Sequence, residues 1–297
     1  MPALPTDPLS AIEKALARAH SELPAMAPLL DAFGPILLER ARIRQSAPGW
    51  QGKPPAFDEN RYCQGVSILT DQGFEDMSDH LPGAAASLLP VLANCFPALA
   101  GEFQALGQAV ASGAVSGQQL AMAAFGEKLA VEGVAETTIA FASAELVRPF
   151  LERQAQDLCR MGQDLPWRQA TCPVCGSAPN MSVLRPTSED TEFIKAHGGR
   201  RFLRCSCCAT EWSHKRVSCP SCGCEEPDDL IILRDPEREH ERADACKRCK
   251  AFVLCLDVGE LAEIPDADVA ALTMLPLEVQ ARKEGYKPMG LHPWSGL

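Results

Sequence analysis

Long apolar runs are missing from this 297-residue chain. No stretch approaches the ~18 residues that a membrane-spanning helix requires. The opening MPALPTDPLS has neither a basic n-region nor an apolar h-region, so no export signal is expected. Also missing are the phosphate loops GxGxxG and GxxxxGKS and the zinc-protease pattern HExxH. The six histidines (His20, His80, His197, His214, His240, His292) are scattered, and none stands in a triad-like local motif. Conventional enzyme chemistry therefore has little to work with.

A basic surplus is absent too. The net charge is −11, whereas a nucleic-acid binder draws most of its affinity from lysine and arginine on phosphate. Residues 172 to 255 are neutral, with 13 Lys/Arg against 13 Asp/Glu, so the whole deficit lies in the flanks. The small cluster Arg200, Arg201, Arg204, Lys215 and Arg216 is the one candidate patch, and a solvated loop and edge strand account for it.

What the chain has is cysteine in pairs. Four CxxC turns follow one another: Cys172/Cys175, Cys205/Cys208, Cys219/Cys222 and Cys246/Cys249. Each turn offers two sulfurs on one side, half of a tetrahedral four-thiolate site, so four turns close two sites. CPVCG and CPSCG each precede an apolar run (Met181 to Leu184, Leu230 to Leu233), a polar stretch and a second pair. That internal repeat reads knuckle, strand, loop, strand, knuckle. It assigns site one to Cys172, Cys175, Cys205 and Cys208, and site two to Cys219, Cys222, Cys246 and Cys249. A disulfide framework fits poorly, since 14 cysteines in 297 residues are too sparse for a small secreted scaffold. An iron–sulfur cluster usually draws on a tight CxxCxxC run, and none exists here. Zinc and iron both accept four thiolates tetrahedrally, and spacing does not choose between them. Unpaired thiolates favour a reducing compartment, hence the cytoplasm.

Six cysteines lie outside the pairs. Cys63, Cys95 and Cys159 sit in apolar or helical surroundings and are expected to be buried as small hydrophobes. Cys255 falls in the run Phe252 to Leu256, where burial is again expected, and Cys207 and Cys224 adjoin ligand turns. His214 follows Cys208 closely, but four cysteines leave it a place on the strand leaving the knuckle.

The N-terminal part has helical periodicity. Asp7-Pro8 reads as a cap and first helical position for a segment with Leu9, Ile12, Leu16 and Leu23 on one face. A second helix runs from about 25 to 44, with a kink or break at Gly34-Pro35. Residues 46 to 82 form a long connection, lying against the bundle through Phe57, Tyr62, Val66, Ile68 and Leu69. Helical spacing resumes over 84 to 110, over 118 to 130 behind a Ser116 cap, and over 136 to 161. In the last of these Ile139, Ala142, Leu146, Phe150 and Leu158 form a stripe, and Pro149 is placed to bend it.

Together CPVCGSAP (172 to 179), RRFLRCSCCATEW (200 to 212), RVSCPSCG (216 to 223) and CKRCKAFV (246 to 253) resemble the FdhE family, accessory proteins for making active formate dehydrogenase. The likeness runs from about Pro149 to Trp294. Asp268 to Tyr286 resembles the family's C-terminal helix and EGY element, while His292-Pro293-Trp294 departs from its closing tail. The resemblance implies an α+β protein. A helical N-terminal domain (1–165) is followed by tandem rubredoxin-like or zinc-ribbon-like four-cysteine modules (166–256), then a C-terminal helix and tail (257–297). It implies a cytoplasmic maturation factor, not an enzyme, that binds the catalytic subunit of formate dehydrogenase before export. It implies one ion per site on the eight paired cysteines, iron with zinc as the alternative. No nucleic acid is expected as a partner, and a homodimer is left open. Two other classes stay in view: a rubredoxin-like electron-transfer protein and a zinc-ribbon nucleic-acid-binding protein.

Overall fold

The computed structural model describes residues 7–186, 199–259, 261 and 263–295. The chain forms two compact units, one from residues 7–53 and 74–157, the other from 54–73 and 158–297. His197 lies outside the described residues.

The first unit is helical. Helix α1 (Pro8–Glu22) starts where the Asp7 carboxylate accepts the amides of Leu9 and Ser10 and Pro8 takes the first turn. It buries Ile12, Leu16 and Ala19. Helix α2 (Ala27–Ser46) runs without a break through Gly34-Pro35, where a kink or break was expected. A Cβ on Gly34 would lie 3.2 Å from the Leu16 side chain, so the glycine lets α1 and α2 approach closely. That packing outweighs the one hydrogen bond the Pro35 nitrogen forgoes.

The expected helix over 84 to 110 is two, α4 (Leu81–Cys95) and α5 (Ala100–Ala111). Phe96, with φ −124° and ψ 77°, leaves the helical region because Pro97 follows it. Helix α6 (Gly117–Ala124) carries a full capping box between Ser116 and Gln119. It stops short of 130, because Gly126 turns with φ +95°. Helix α7 (Glu136–Leu158) buries the predicted stripe and continues across Pro149.

Between α2 and α7 lies a buried ionic cluster that periodicity did not show. Arg40 meets Glu145 at 3.1 Å and Glu152 at 3.3 Å, and Glu152 also takes Arg44 and Arg148 at 2.8 Å. Such charges are tolerated inside a protein only when paired and hydrogen-bonded.

The second unit carries the sheet. Its strands are β1 (Pro179–Arg185), β2 (Arg200–Cys205), β3 (Glu211–His214), β4 (Leu230–Arg234), β5 (Glu241–Cys246), β6 (Ala251–Asp257) and the short β7 (Lys287–Pro288). The order is β3-β2-β1-β6-β5-β4, with β7 beside β6. Each repeat is a three-stranded antiparallel meander, β1-β2-β3 or β4-β5-β6. Each repeat thus has a third strand after its second knuckle, which in the first copy is the strand on which His214 was expected. Strands β1 and β6 pair in parallel, Ser182 opposite Cys255, and fuse both copies into one sheet. Cys255 is fully buried at this seam, as expected, and burial pushes its thiol up to about 11.

Two expectations are corrected. Cys63 and Cys159 are exposed and Cys95 is half-buried. Cys63 ends the five-residue helix α3 (Glu59–Cys63), whose buried residue is its neighbour Tyr62, and Cys159 falls one position past the buried Leu158. Within this unit the amides of Ile68 and Leu69, in the connection, bond to the carbonyls of Pro173 and Val174 at 2.9 Å. The C-terminal helix is two, α8 (Ala267–Thr273) and α9 (Leu275–Lys283), because Pro276 restarts the chain. Helix α9 packs on β4, β5 and β6. The tail is buried through Trp294 and His292, whose rings stack 5.1 Å apart, and the His292 ring meets the Asn180 carbonyl at 3.2 Å.

Candidate metal centres

Each CxxC turn is closed by its own backbone. The amides of Gly176, Ala209, Gly223 and Lys250 donate to the carbonyls of Cys172, Cys205, Cys219 and Cys246 at 2.8 to 3.2 Å. The residue after the second cysteine then takes a left-handed conformation in all four turns, with φ of 77°, 56°, 70° and 60°. Glycine occupies that place in the leading knuckle of each repeat, whereas Ala209 and Lys250 hold it in the trailing ones at a cost of about 1 kcal/mol. Opposite effects should follow from exchanging them. Gly223→Ala, where a Cβ would meet no atom within 4 Å, should lose about 1 kcal/mol through backbone strain alone. Ala209→Gly should gain about 0.5 kcal/mol, read as the midpoint of thermal unfolding at fixed metal concentration.

The four turns bring the sulfurs into two groups, Cys172, Cys175, Cys205, Cys208 and Cys219, Cys222, Cys246, Cys249, with all ligand atoms of a group within 4.8 Å of one another. Among the described residues no other three His, Cys, Asp or Glu side chains gather in this way. In the first group Cys172–Cys208, Cys175–Cys205 and Cys175–Cys208 are 3.7, 3.5 and 3.6 Å apart. In the second, Cys219–Cys249 and Cys222–Cys246 are 3.6 and 3.8 Å apart. A disulfide would put sulfurs at ~2.05 Å. A tetrahedral ion with ~2.3 Å bonds to sulfur puts them at roughly 3.8 Å. The geometry is that of a four-thiolate metal site.

The electrostatics agree. Burial pushes the Cys172 and Cys219 thiols up, while hydrogen bonding from Cys172, Cys205 and Cys207 holds the Cys175 thiolate down. Burial also opposes ionisation of Cys249, yet the Ala251 amide and the Ser221, Cys219 and Cys222 side chains bring it to about 7. Amides of Cys207 and Cys208 point at the Cys205 sulfur at 3.4 and 3.5 Å, donors suited to a thiolate. Only a cation would let all four sulfurs of a buried group ionise together.

The two groups differ in access. In the first, three sulfurs belong to buried residues, and the segment 67–69 lies on its leading knuckle through the Ile68 and Leu69 bonds. In the second, Cys222 is exposed and Cys249 half-buried. The sequence missed the 67–69 contribution, since nothing local links it to a turn so far along the chain.

Other candidates fall elsewhere. His214 ends β3 with its ring against the Lys215 carbonyl at 3.2 Å, outside the sulfur group. Cys207 is half-buried beside the first group, and Cys224 closes the third turn with its carbonyl on the Cys219 amide. The basic cluster is solvated only in part: Arg200 and Lys215 are exposed, but two of its arginines are not. Arg201 is buried, donates to the Ser218 carbonyl and pairs with Asp244 at 3.3 Å, and Arg204 is buried against Asp268 at 2.9 Å. Both arginines are committed inside the unit, leaving few cations there for phosphate. Among the described residues no helix is long and apolar enough to cross a membrane.

With this geometry in hand, similarity to known proteins falls on the same residues. The family profile "FdhE, central domain" matches residues 171–216, which hold the first sulfur group. A protein FdhE homolog of Aquifex aeolicus is 36% identical over 123 residues, 40% of each chain. One of Edwardsiella ictaluri is 28% identical over 214 residues, 72% of this chain and 61% of the relative. The match thus spans about two fifths of the Aquifex relative. The crystal structure of the FdhE protein from Pseudomonas aeruginosa superposes with a TM-score of 0.61 at 18% identity, covering 95% of this chain and 93% of that one, a likeness of fold.

Proposed function

We propose that this chain, which belongs to the FdhE family, is a non-catalytic maturation factor for formate dehydrogenase, acting in the cytoplasm on the catalytic subunit before export. The observation that carries this reading is the pair of sulfur groups, the first inside the very segment that the family profile matches. Cys172, Cys175, Cys205 and Cys208 would hold one ion and Cys219, Cys222, Cys246 and Cys249 another. Iron is the ion favoured, with zinc the alternative; either would supply a fixed tetrahedral node.

What the residues do in this scheme is structural. Each sulfur group ties the turn that leads into a three-stranded meander to the turn between its last two strands. The sheet so formed presents a fixed surface to a client. A second reading, electron transfer, is favoured by one feature: the exposed Cys222 gives the second group the solvent contact that outer-sphere exchange needs.

The test is a pull-down of this chain with the catalytic subunit of formate dehydrogenase, paired with complementation of a strain lacking its own FdhE. Capture of the subunit and return of formate dehydrogenase activity are expected. Anaerobically purified protein with visible thiolate-to-iron absorption supports iron, and a colourless protein with full metal content supports zinc. Failure of both capture and complementation would remove the maturation reading.

A further inference from the structure

Strand β4 is an open edge. It ends the sheet, and among the described residues its backbone pairs only with β5. In an antiparallel pair alternate amides and carbonyls face away from the neighbour, so one row of donors and acceptors on β4 points outward. Proteins usually blunt such an edge with charge, proline or a bulge. Strand β3, at the other end, is short and carries Glu211 and His214 at its ends. Strand β4 instead reads Leu230, Ile231, Ile232, Leu233 before its first charge at Arg234, and its register is unbroken. Ile232 is 49% exposed.

Both ends of this apolar edge are acidic. Residues 225–229 carry Glu225, Glu226, Asp228 and Asp229, and residues 235–239 carry Asp235, Glu237 and Glu239. Of the two arginines in the span, Arg238 turns inward onto Glu241 and the Thr273 carbonyl. A second copy of this chain would bring the same acids face to face, which disfavours edge-to-edge pairing of copies.

We propose that the β4 edge captures an extended cationic segment of a partner polypeptide. The segment adds as a further strand, its alternate apolar side chains beside Ile232 and its lysines or arginines against the acids at either end. Leu230 packs on Cys219, Cys224 and Cys246, so the edge begins at the second sulfur group and is held in place by it. That the segment belongs to formate dehydrogenase rests on the function proposed above; capture of a cationic strand does not.

The probe is a fluorescein-labelled decapeptide of alternating valine and threonine with two arginines at each end, titrated with metal-loaded full-length protein and followed by anisotropy. Binding is expected, about tenfold weaker on adding ~0.3 M salt. Slowed hydrogen exchange should appear at residues 230–234. The same peptide with acidic ends, or with alternate amides N-methylated, should bind at least about tenfold more weakly, as should Ile232→Lys protein with unchanged metal content. Glu226→Lys/Asp228→Lys gives a second variant away from the strand, with the same expectation. Equal binding of the N-methylated peptide, protection mapping elsewhere, or a β4-paired dimer in the free protein would overturn the proposal. Peptide binding without capture of the formate dehydrogenase subunit would leave this edge standing and remove only the client.

Discussion

Cys205→Ser should release one of two ions and loosen one meander while the other stays intact. Cys205 is fully buried at the end of β2, and its sulfur receives two backbone amides that a serine oxygen would meet less well. A structural ion in a four-thiolate site contributes roughly 10 kcal/mol or more to folding, comparable to the whole stability of a domain. Metal content should fall by half, and amides of β1, β2 and β3 should lose most of their protection from exchange. Helices α1, α2 and α4 to α7 belong to the other compact unit and should keep theirs. Exchange mapped by mass spectrometry alongside metal analysis tests this, and full retention of both ions would sink the assignment. Access adds an order of events. A chelator should strip the second group first, through the exposed Cys222, while segment 67–69 delays loss from the first.

Glu152→Ala should destabilise the helical unit by about 3 to 5 kcal/mol. Glu152 accepts from Arg40, Arg44 and Arg148 in a setting where two of those arginines are themselves buried. Truncation takes away the carboxylate they share and leaves positive charge out of water. Glu152→Gln keeps acceptor and shape and should cost less, which separates charge from packing. With roughly 3 °C per kcal/mol, the alanine variant should melt on the order of 10 °C lower. A loss below ~1 kcal/mol would mean that water reaches the cluster.

The local features were legible because their causes are local. A CxxC turn fixes its two sulfurs whatever surrounds it, and the repeat of turn and apolar run was enough to pair the turns in order. Asp7-Pro8 and Ser116 with Gln119 likewise act within one turn of helix. What the sequence hid depends on partners far along the chain. Arg201 and Arg204 look like surface charge until Asp244 and Asp268 are placed beside them. Pro35 reads as a possible end to its helix and Pro149 as a bend, yet each removes only one hydrogen bond from a helix that continues past it. Cys63 and Cys159 look apolar by neighbourhood but fall one residue off a buried face.

The path of the chain has a consequence for synthesis. Segment 54–73 is translated about a hundred residues before the knuckle at Pro173 and Val174 that it hydrogen-bonds. Ile68 and Leu69 must therefore wait on the ribosome, unpartnered by that knuckle, while α4 to α7 emerge behind them. Folding of the sheet-bearing unit can be completed only once the cysteine turns have left the exit tunnel and met their ions, so the helical unit has a head start that the metal-dependent unit lacks.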